Sequence, residues 1–188
     1  SPTCPKCSFG RRARADAPTH SARAMPADSP TTAARVSSQA RKRFAAYPFV
    51  EYALLNIDAD PRLQGFATAD FDLIVSTNCL HATPFLSNTL RHCARLLGAG
   101  GVLVVNDALR TAALTQITFG LTDGWWLFAA SGDPERAGRD SPLVDWPQWE
   151  TLLASSGFRS RHCVRADGFL RNQAVIVAQP AVTSGVAA

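Results

Sequence analysis

The chain has 188 residues, 46% of them hydrophobic, and a formal net charge of +4. This length and apolar content suit one domain with a buried core. The charge does not indicate a nucleic-acid-binding protein, because the excess of Lys and Arg lies in residues 1–48 and is not interleaved with aromatic side chains. No apolar run reaches the roughly 18 residues of a membrane span, so we expect no membrane partner.

The first 34 residues are rich in Ser, Thr, Ala, Pro and Arg and poor in large apolar side chains. Such a segment buries too little surface to offset its ordering entropy, so residues 1–34 are expected to be a disordered or divergent leader. Residues 35–180 would then form the folded domain, and residues 181–188 a flexible tail.

The cysteines are scattered along the chain and do not form the pattern of a disulfide framework. Reduced thiols in the cytoplasm are the simpler interpretation. Cys4 and Cys7 have the spacing of a zinc site. A structural zinc needs four ligands, however, and His20 is the nearest further candidate, so no metal is predicted.

Hydrophobic periodicity predicts alternating helices and strands after the leader. In chain order these are a helix over 35–46, a strand over 49–57, a helical turn over 61–66, a strand over 71–76, a helix over 84–97, a glycine-rich turn over 98–101, a strand over 102–106, a mixed aromatic segment over 113–128, a loop over 129–142, a helix over 146–155, and strands over 159–165 and 173–179. This order predicts an α/β fold, with a doubly wound, mostly parallel sheet that ends in an antiparallel hairpin.

Polar residues follow two strands that are expected to be neighbours. The apolar run 71–76 is followed by Asn78 and His81, and Asp107 follows the strand 102–106. Ligands of open α/β sheets bind at the carboxyl ends of the strands, so His81 and Asp107 are expected to lie together there. A purely structural interpretation is also open, in which His81 caps the next helix and Asp107 merely ends a strand.

Several segments resemble the C-methyltransferase domains of polyketide synthases. The matching segments are SSQARKRFAAYPFVEYALLNIDADPRLQGF at 37–66, FDLIVSTNCLHAT at 71–83, NTLRHCARLLGAGGVLVV at 88–105 and TFGLTDGWWLF at 118–128, with a looser match at 142–158. A generic methyltransferase would share the FDLIV pattern and the glycine turn, but not LHAT together with FGLTDGWW.

The resemblance implies a Rossmann-like fold and S-adenosylmethionine as cofactor. The implied reaction is methylation of the α-carbon of a β-ketoacyl thioester on an acyl carrier protein, with other polyketide synthase domains as further partners. It also implies site residues by position: His81 as base and Asp107 as the carboxylate that orients it, where the family more often has Glu; Asn56, Asp58 and Asn78 at the cofactor; and Trp125 and Trp126 at the acyl pocket.

The chain also departs from that family. Residues 1–36 contain Gly10 as their one glycine and no Gly-rich cofactor turn, so we expect the first βα unit to be lacking. Asn56 stands where the family usually has an Asp. These departures leave enzymatic activity of this chain open, and the alternative is a non-catalytic remnant with a structural or docking role.

Overall fold

The computed structural model describes residues 7–10, 22–24, 40–165 and 172–181. The predictions for the rest of the leader, for the start of the first helix, for the turn at Gly168 and for the tail beyond residue 181 lie outside the described residues. Within the described part of the chain, no helix combines the length and the apolar character needed to cross a bilayer.

The described strands form one mixed sheet in the order β3-β2-β1-β4-β5-β7-β6. The strands are β1 (Cys7–Gly10), β2 (Ala22–Ala24), β3 (Val50–Tyr52), β4 (Phe71–Thr77), β5 (Leu97–Ala108), β6 (Phe158–Arg165) and β7 (Gln173–Pro180). The pairs β2–β3 and β4–β5 are parallel, whereas β1 runs antiparallel to both of its neighbours. The predicted closing hairpin is present, because β7 pairs antiparallel with both β5 and β6. The parallel share of the sheet is therefore smaller than predicted.

Four helices follow β3 in the described part of the chain. They are α1 (Leu86–Leu96), α2 (Ala113–Phe119), α3 (Leu127–Ala130) and α4 (Trp146–Ser155). Helix α4 has the predicted bounds, and its predicted N-cap is present, since the Asp145 side chain accepts from the backbone N–H of Gln148 at 3.1 Å. Short 3-10 turns lie at Pro61–Gln64, Leu80–Ala82, Asp123–Trp126 and Pro134–Arg136.

The core lies between the sheet and helices α1 and α4. Ile74 of β4 and Leu103 of β5 are fully buried, as are Leu90 of α1 and Trp149 of α4. Burial of each large apolar side chain contributes about 1.5–3 kcal/mol, so this contact carries much of the fold's stability. It also fixes where β4 and β5 end, which is where the predicted site residues lie.

The predicted strand over 49–57 is wrong beyond residue 52, since the structure has a strand only over Val50–Tyr52. Gln64 explains the difference. Its side-chain Oε1 accepts from the backbone N–H of Asn56 at 2.7 Å, and its Nε2 donates to the Asn56 carbonyl oxygen at 2.8 Å. Because these groups bind a side chain, residue 56 needs no neighbouring strand.

The glycine-rich segment 98–101 lies inside β5, not in a turn before it. The register with β4 shifts here, because Phe71 pairs with Leu97 whereas Leu73 pairs with Val102. A Cβ atom on Gly101 would lie 3.0 Å from the Phe71 carbonyl oxygen, so the bulge requires a residue without a side chain. The sequence pattern located the glycine-rich segment correctly, but it did not predict that this segment lies within the strand β5 that pairs with β4.

Two smaller expectations also differ from the structure. The helix predicted over 35–46 is helical over residues 40–43 of its described part. Cys79 is disulfide-bonded, which differs from the expectation of reduced thiols.

Candidate active site

His81 and Asp107 are in contact at the carboxyl edge of β4 and β5. His81 lies on the 3-10 turn Leu80–Ala82, which follows β4, and Asp107 is the second-last residue of β5. His81 Nδ1 lies 2.6 Å from Asp107 Oδ1. Asp107 is fully buried, and His81 is 8% exposed. The shorter Asp side chain therefore reaches the ring although the family more often has Glu.

The hydrogen bonds of Asp107 fix the protonation pattern of the imidazole. Its Oδ1 also accepts from the backbone N–H of Ala108 at 2.8 Å. A carboxylate that faces Nδ1 favours the tautomer with the proton on that atom, which leaves Nε2 as the basic nitrogen. Asp107 Oδ2 is buried and has no hydrogen-bond partner among the described residues.

Of the two adjacent tryptophans, Trp125 faces the His81 ring. The two ring centroids are 6.0 Å apart in an edge-to-face arrangement, and Trp125 is 4% exposed. Phe119 stacks on its other side at 6.1 Å. Trp126 points elsewhere, because successive residues of a 3-10 turn lie about 120° apart. Its Nε1 donates to the Gly120 carbonyl oxygen at 2.8 Å.

Asn56 and Asp58 lie in the loop after β3 and pack toward α1. Asn56 Oδ1 accepts from the backbone N–H of Asp58 at 3.0 Å, so this oxygen is used within the loop. Thr89 of α1 donates from Oγ1 to Asp58 Oδ1 at 3.3 Å. Burial raises the pKa of Asp58 to about 6, although Thr89 and Arg136 act in the opposite direction.

Asn78 directly follows β4 and has a left-handed backbone conformation, with φ of +46°. Asn adopts this region more readily than most residues. Its backbone N–H donates to the Asn106 carbonyl oxygen at 2.8 Å, and its Oδ1 accepts from Gln173 Nε2 at 3.1 Å. Asn78 thus joins the ends of β4, β5 and β7, at the same edge of the sheet as His81.

Sequence reasoning missed one residue beside this pair. Arg136, in a segment predicted to be a loop, is fully buried. Its Nη1 donates to the His81 carbonyl oxygen at 2.6 Å, and its Nε donates to Asp133 Oδ2 at 2.5 Å. A polar loop with several charges gives no signal that one of them is buried.

Among the described residues, no group of three or more His, Cys, Asp or Glu side chains could hold a metal ion.

Comparison with known proteins gives consistent matches. Residues 29–103 match the family described as "Methyltransferase domain". The highly reducing polyketide synthase pspA of Penicillium soppii is 41% identical over 144 residues, which are 76% of this chain and 5% of that protein. The squalestatin hexaketide synthase of Phoma sp. is 36% identical over 151 residues, which are 79% of this chain and 6% of that protein.

Solved structures agree with these matches. The CurJ carbon methyltransferase has a TM-score of 0.72 at 38% identity, covering 79% of this chain and 39% of that chain. The CMeT domain of the citrinin polyketide synthase has a TM-score of 0.70 at 30% identity, covering 79% of this chain and 37% of that chain. The chain belongs to the methyltransferase domains of polyketide synthases.

Membership in this polyketide synthase methyltransferase family confirms the resemblance read from the sequence and the α/β, Rossmann-like fold class. The chain spans only 5% and 6% of the two curated relatives. A third similar solved structure, that of the trans-methyltransferase CalH in complex with SAH, has a TM-score of 0.70 at 33% identity.

Two buried polar atoms at this site are left without partners among the described residues. They are Asp107 Oδ2 and Trp125 Nε1, and they belong to the two side chains that face His81. Such atoms are expected where a further polar group, such as one of a cofactor, binds. Asn56 Oδ1, in contrast, is already bound within its loop.

Proposed function

We propose that this chain supplies the catalytic residues of an S-adenosylmethionine-dependent C-methyltransferase. The proposed substrate is the α-carbon of a β-ketoacyl thioester carried by an acyl carrier protein in polyketide synthesis. The observation that carries the proposal is the 2.6 Å contact between His81 Nδ1 and Asp107 Oδ1 at the carboxyl edge of the sheet. A histidine oriented by a buried carboxylate is the arrangement expected for a general base.

His81 acts through its Nε2 atom. The α-hydrogen between the two carbonyl groups of the substrate is acidic, and Nε2 takes it up as the C–H bond breaks. The Asp107 carboxylate stabilises the imidazolium that forms, and general-base assistance of this kind gives about 10²–10⁴-fold in rate. The electron pair left on carbon forms the new C–C bond to a methyl group. The cofactor, when bound, would supply that electrophilic methyl group as its S–CH3 bond breaks, and the electron pair of that bond would stay on sulfur in a neutral thioether.

The remaining predicted residues have roles that follow from their positions. Trp125 covers the edge of the His81 ring, so it would form the wall of the acyl site and exclude water there. Trp126 is 36% exposed and would contact the outer part of the acyl chain. Asp58 and Asn78 would hold the cofactor together with Asn56. The proposal includes the acyl carrier protein and other polyketide synthase domains as partners, in the cytoplasm.

The non-catalytic alternative is less well supported. A domain kept only for docking or structure has no need of a buried His–Asp contact, because a buried carboxylate is costly unless its charge is compensated. Asp107 is fully buried with one oxygen lacking a partner among the described residues. Retaining such a group is expected where it takes part in chemistry.

The test is methyl transfer by His81→Ala. We expect the turnover number of the protein to fall at least about 10²-fold, measured by mass spectrometry with a β-ketoacyl thioester and millimolar S-adenosylmethionine. Cofactor affinity should persist, because the base contacts substrate and not the nucleoside. His162→Ala is the matched control, since His162 is an exposed histidine of β6 and should leave turnover unchanged. Full turnover of His81→Ala would contradict the proposal.

A further inference from the structure

Arg136 is a buried charged residue that the proposed chemistry does not use. It is fully buried, pairs with Asp133 Oδ2 at 2.5 Å, and lies over the Phe128 ring at 5.1 Å. Burial lowers the pKa of its guanidinium, and the hydrogen bond that it donates to Asp133 acts against this. Burying such a charge is costly unless its N–H groups find acceptors, so the identity of those acceptors indicates its role.

Most of those acceptors are backbone carbonyls of one short segment. Arg136 Nη1 donates to the His81 carbonyl oxygen at 2.6 Å. Its Nη2 donates to the carbonyl oxygens of Thr83 at 2.6 Å and Pro84 at 3.1 Å. A guanidinium is planar and its donors have fixed directions, so one side chain here specifies the positions of three carbonyls.

The segment that Arg136 holds is the one that carries His81. The 3-10 helix Leu80–Ala82 is a single turn, and its own backbone bonds are Ala82 N–H to Cys79 O at 2.9 Å and Thr83 N–H to Leu80 O at 3.2 Å. Hydrogen-bond geometry in 3-10 turns is poor, so such a turn is fixed weakly by itself. The position of the His81 ring therefore depends on contacts from outside the turn.

We propose that Arg136 is a positioning residue for His81. Its guanidinium holds the backbone of residues 81–84 so that Nδ1 of the ring meets Asp107. The effect on methyl transfer rests on the function proposed above, whereas the effect on the ring itself does not. A misplacement of about 1 Å can cost about 10²-fold in rate, which is sufficient to make such a residue important for turnover.

The same turn also connects to the other side of the site. Thr89 Oγ1 lies 2.9 Å from Thr83 Oγ1 and 3.3 Å from Asp58 Oδ1, and its one hydroxyl hydrogen is shared between these two acceptors. Thr83 thus lies between Arg136, which binds its carbonyl oxygen, and the carboxyl proposed to contact the cofactor. Arg136 belongs to one buried hydrogen-bond network that reaches both the base and Asp58.

The first test is spectroscopic and needs no enzymatic activity. The 188-residue chain is labelled with ¹⁵N-histidine, and the Nδ1–H signal of His81 is compared between wild type and Arg136→Lys. Lysine keeps the charge but not the fork of donors, so we expect the His81 signal to shift and broaden. The signal of His92, which donates to Ile57 in the core, should stay unchanged and serves as an internal reference.

The second test measures the kinetics of methyl transfer by the protein. Arg136→Lys is expected to lower the turnover number about 10- to 100-fold while KM for the thioester changes less than about threefold. Arg139→Lys is the matched control. Arg139 lies in the same loop but is exposed and donates to Leu143 and Gln148 instead of the turn, so it should change neither quantity.

An unchanged His81 signal in Arg136→Lys would overturn the proposal, as would a turnover loss no larger than the unfolded fraction measured by circular dichroism. If Arg136→Lys does not fold, Asp133→Asn decides in the same way, because it leaves the guanidinium in place but removes its anchor. A shifted His81 signal in a protein whose wild type shows no methyl transfer would support the positioning role and contradict the proposed function instead.

Discussion

At the scale of single residues, the properties of the site depend on the burial and the hydrogen bonds of two carboxyl groups. Asp107 is fully buried and binds a ring nitrogen and a backbone N–H through one oxygen. Asp58 is half-buried and receives one Thr hydroxyl, so its charged form is poorly compensated and its pKa rises to about 6. The two residues therefore respond differently to the loss of their charge.

Asp107→Asn should impair catalysis more than folding. The amide has the same shape, but it neither stabilises an imidazolium nor fixes the Nδ1–H tautomer. We expect a loss of about 10²–10⁴-fold in the turnover number at unchanged cofactor affinity, measured by mass spectrometry and calorimetry. Asp140→Asn, an exposed carboxylate in the loop after the 3-10 turn Pro134–Arg136, is the control and should be neutral. Equal activity of the two variants would exclude a role for Asp107.

Asp58→Asn should stabilise the fold in a pH-dependent way. The pKa of Asp58 is raised from 3.8 to about 6, so the folded state binds the extra proton between these values. Stability is therefore lost as pH rises from about 4 to 6, and the whole penalty is present above 6. We expect the variant to gain about 1–3 kcal/mol in free energy of unfolding at pH 8 and little at pH 4, by urea denaturation.

Asp60→Asn provides the control for that measurement. Arg62 binds the Asp60 carboxylate through its Nε and Nη2 atoms and holds the pKa of that carboxyl well below its usual range. The contribution of this pair is present at neutral pH and is lost as pH falls, so Asp60→Asn should bring no gain at pH 8. A gain of similar size in both variants would mean that the effect at Asp58 is not caused by its burial.

At the scale of elements, the register between β4 and β5 decides where the base and the carboxylate lie. Six residues of β5, from Leu97 to Val102, lie opposite three residues of β4, from Phe71 to Leu73. Beyond this bulge the pairing is regular, up to Thr77 opposite Asn106. Asp107 follows that last pair, and His81 follows the end of β4. The bulge therefore determines the positions of these two residues relative to each other along the strand direction.

Gly101→Ala should therefore destabilise the domain. The added Cβ would lie 3.0 Å from the Phe71 carbonyl oxygen, a backbone atom that can move only if the strand moves. We expect a loss of about 1–3 kcal/mol in free energy of unfolding by chemical denaturation. Gly124→Ala is the matched control, since a Cβ there has no neighbour within 4 Å and should change stability little. Equal stability of both variants would mean that the bulge is not tightly constrained.

At the scale of the whole molecule, the chain matches part of the length of the solved methyltransferases. It covers 39% of the CurJ methyltransferase chain and 37% of the citrinin synthase domain. Residues 1–36 contain one glycine, Gly10, and no Gly-rich cofactor turn. Within this chain, His81 Nδ1 and Asp107 Oδ1 are in contact at the carboxyl edge of the sheet.

The 188-residue chain should consequently bind S-adenosylmethionine weakly. Without a Gly-rich turn the backbone lacks a close approach to the methionine part of the cofactor, and Asn56 Oδ1 is engaged within its own loop. We expect calorimetry to give a dissociation constant well above about 10 µM, because only a few contacts would hold the cofactor. Micromolar binding by this chain would contradict that expectation.

Much of the fold was accessible from the sequence because it depends on local patterns. The run 71–76 and the bounds of α4, with Asp145 as its cap, follow from apolar periodicity and capping, which neighbouring residues decide. Residue types and expected strand ends also sufficed to name His81 and Asp107 as a pair. The strand over 49–57 failed for a non-local reason, because Gln64 supplies the partners that a neighbouring strand would have supplied.

The amino-acid sequence by itself determined the family, the α/β class and the two residues that face each other at the sheet edge. Only the tertiary structure decided that Trp125 and not Trp126 faces His81, that Asp58 is buried enough for its pKa to rise, and that Arg136 binds the carbonyls of the turn. These facts depend on distances between segments far apart in the chain. Side-chain type and spacing do not predict the burial of these residues, because their burial depends on which distant segments of the chain pack against them.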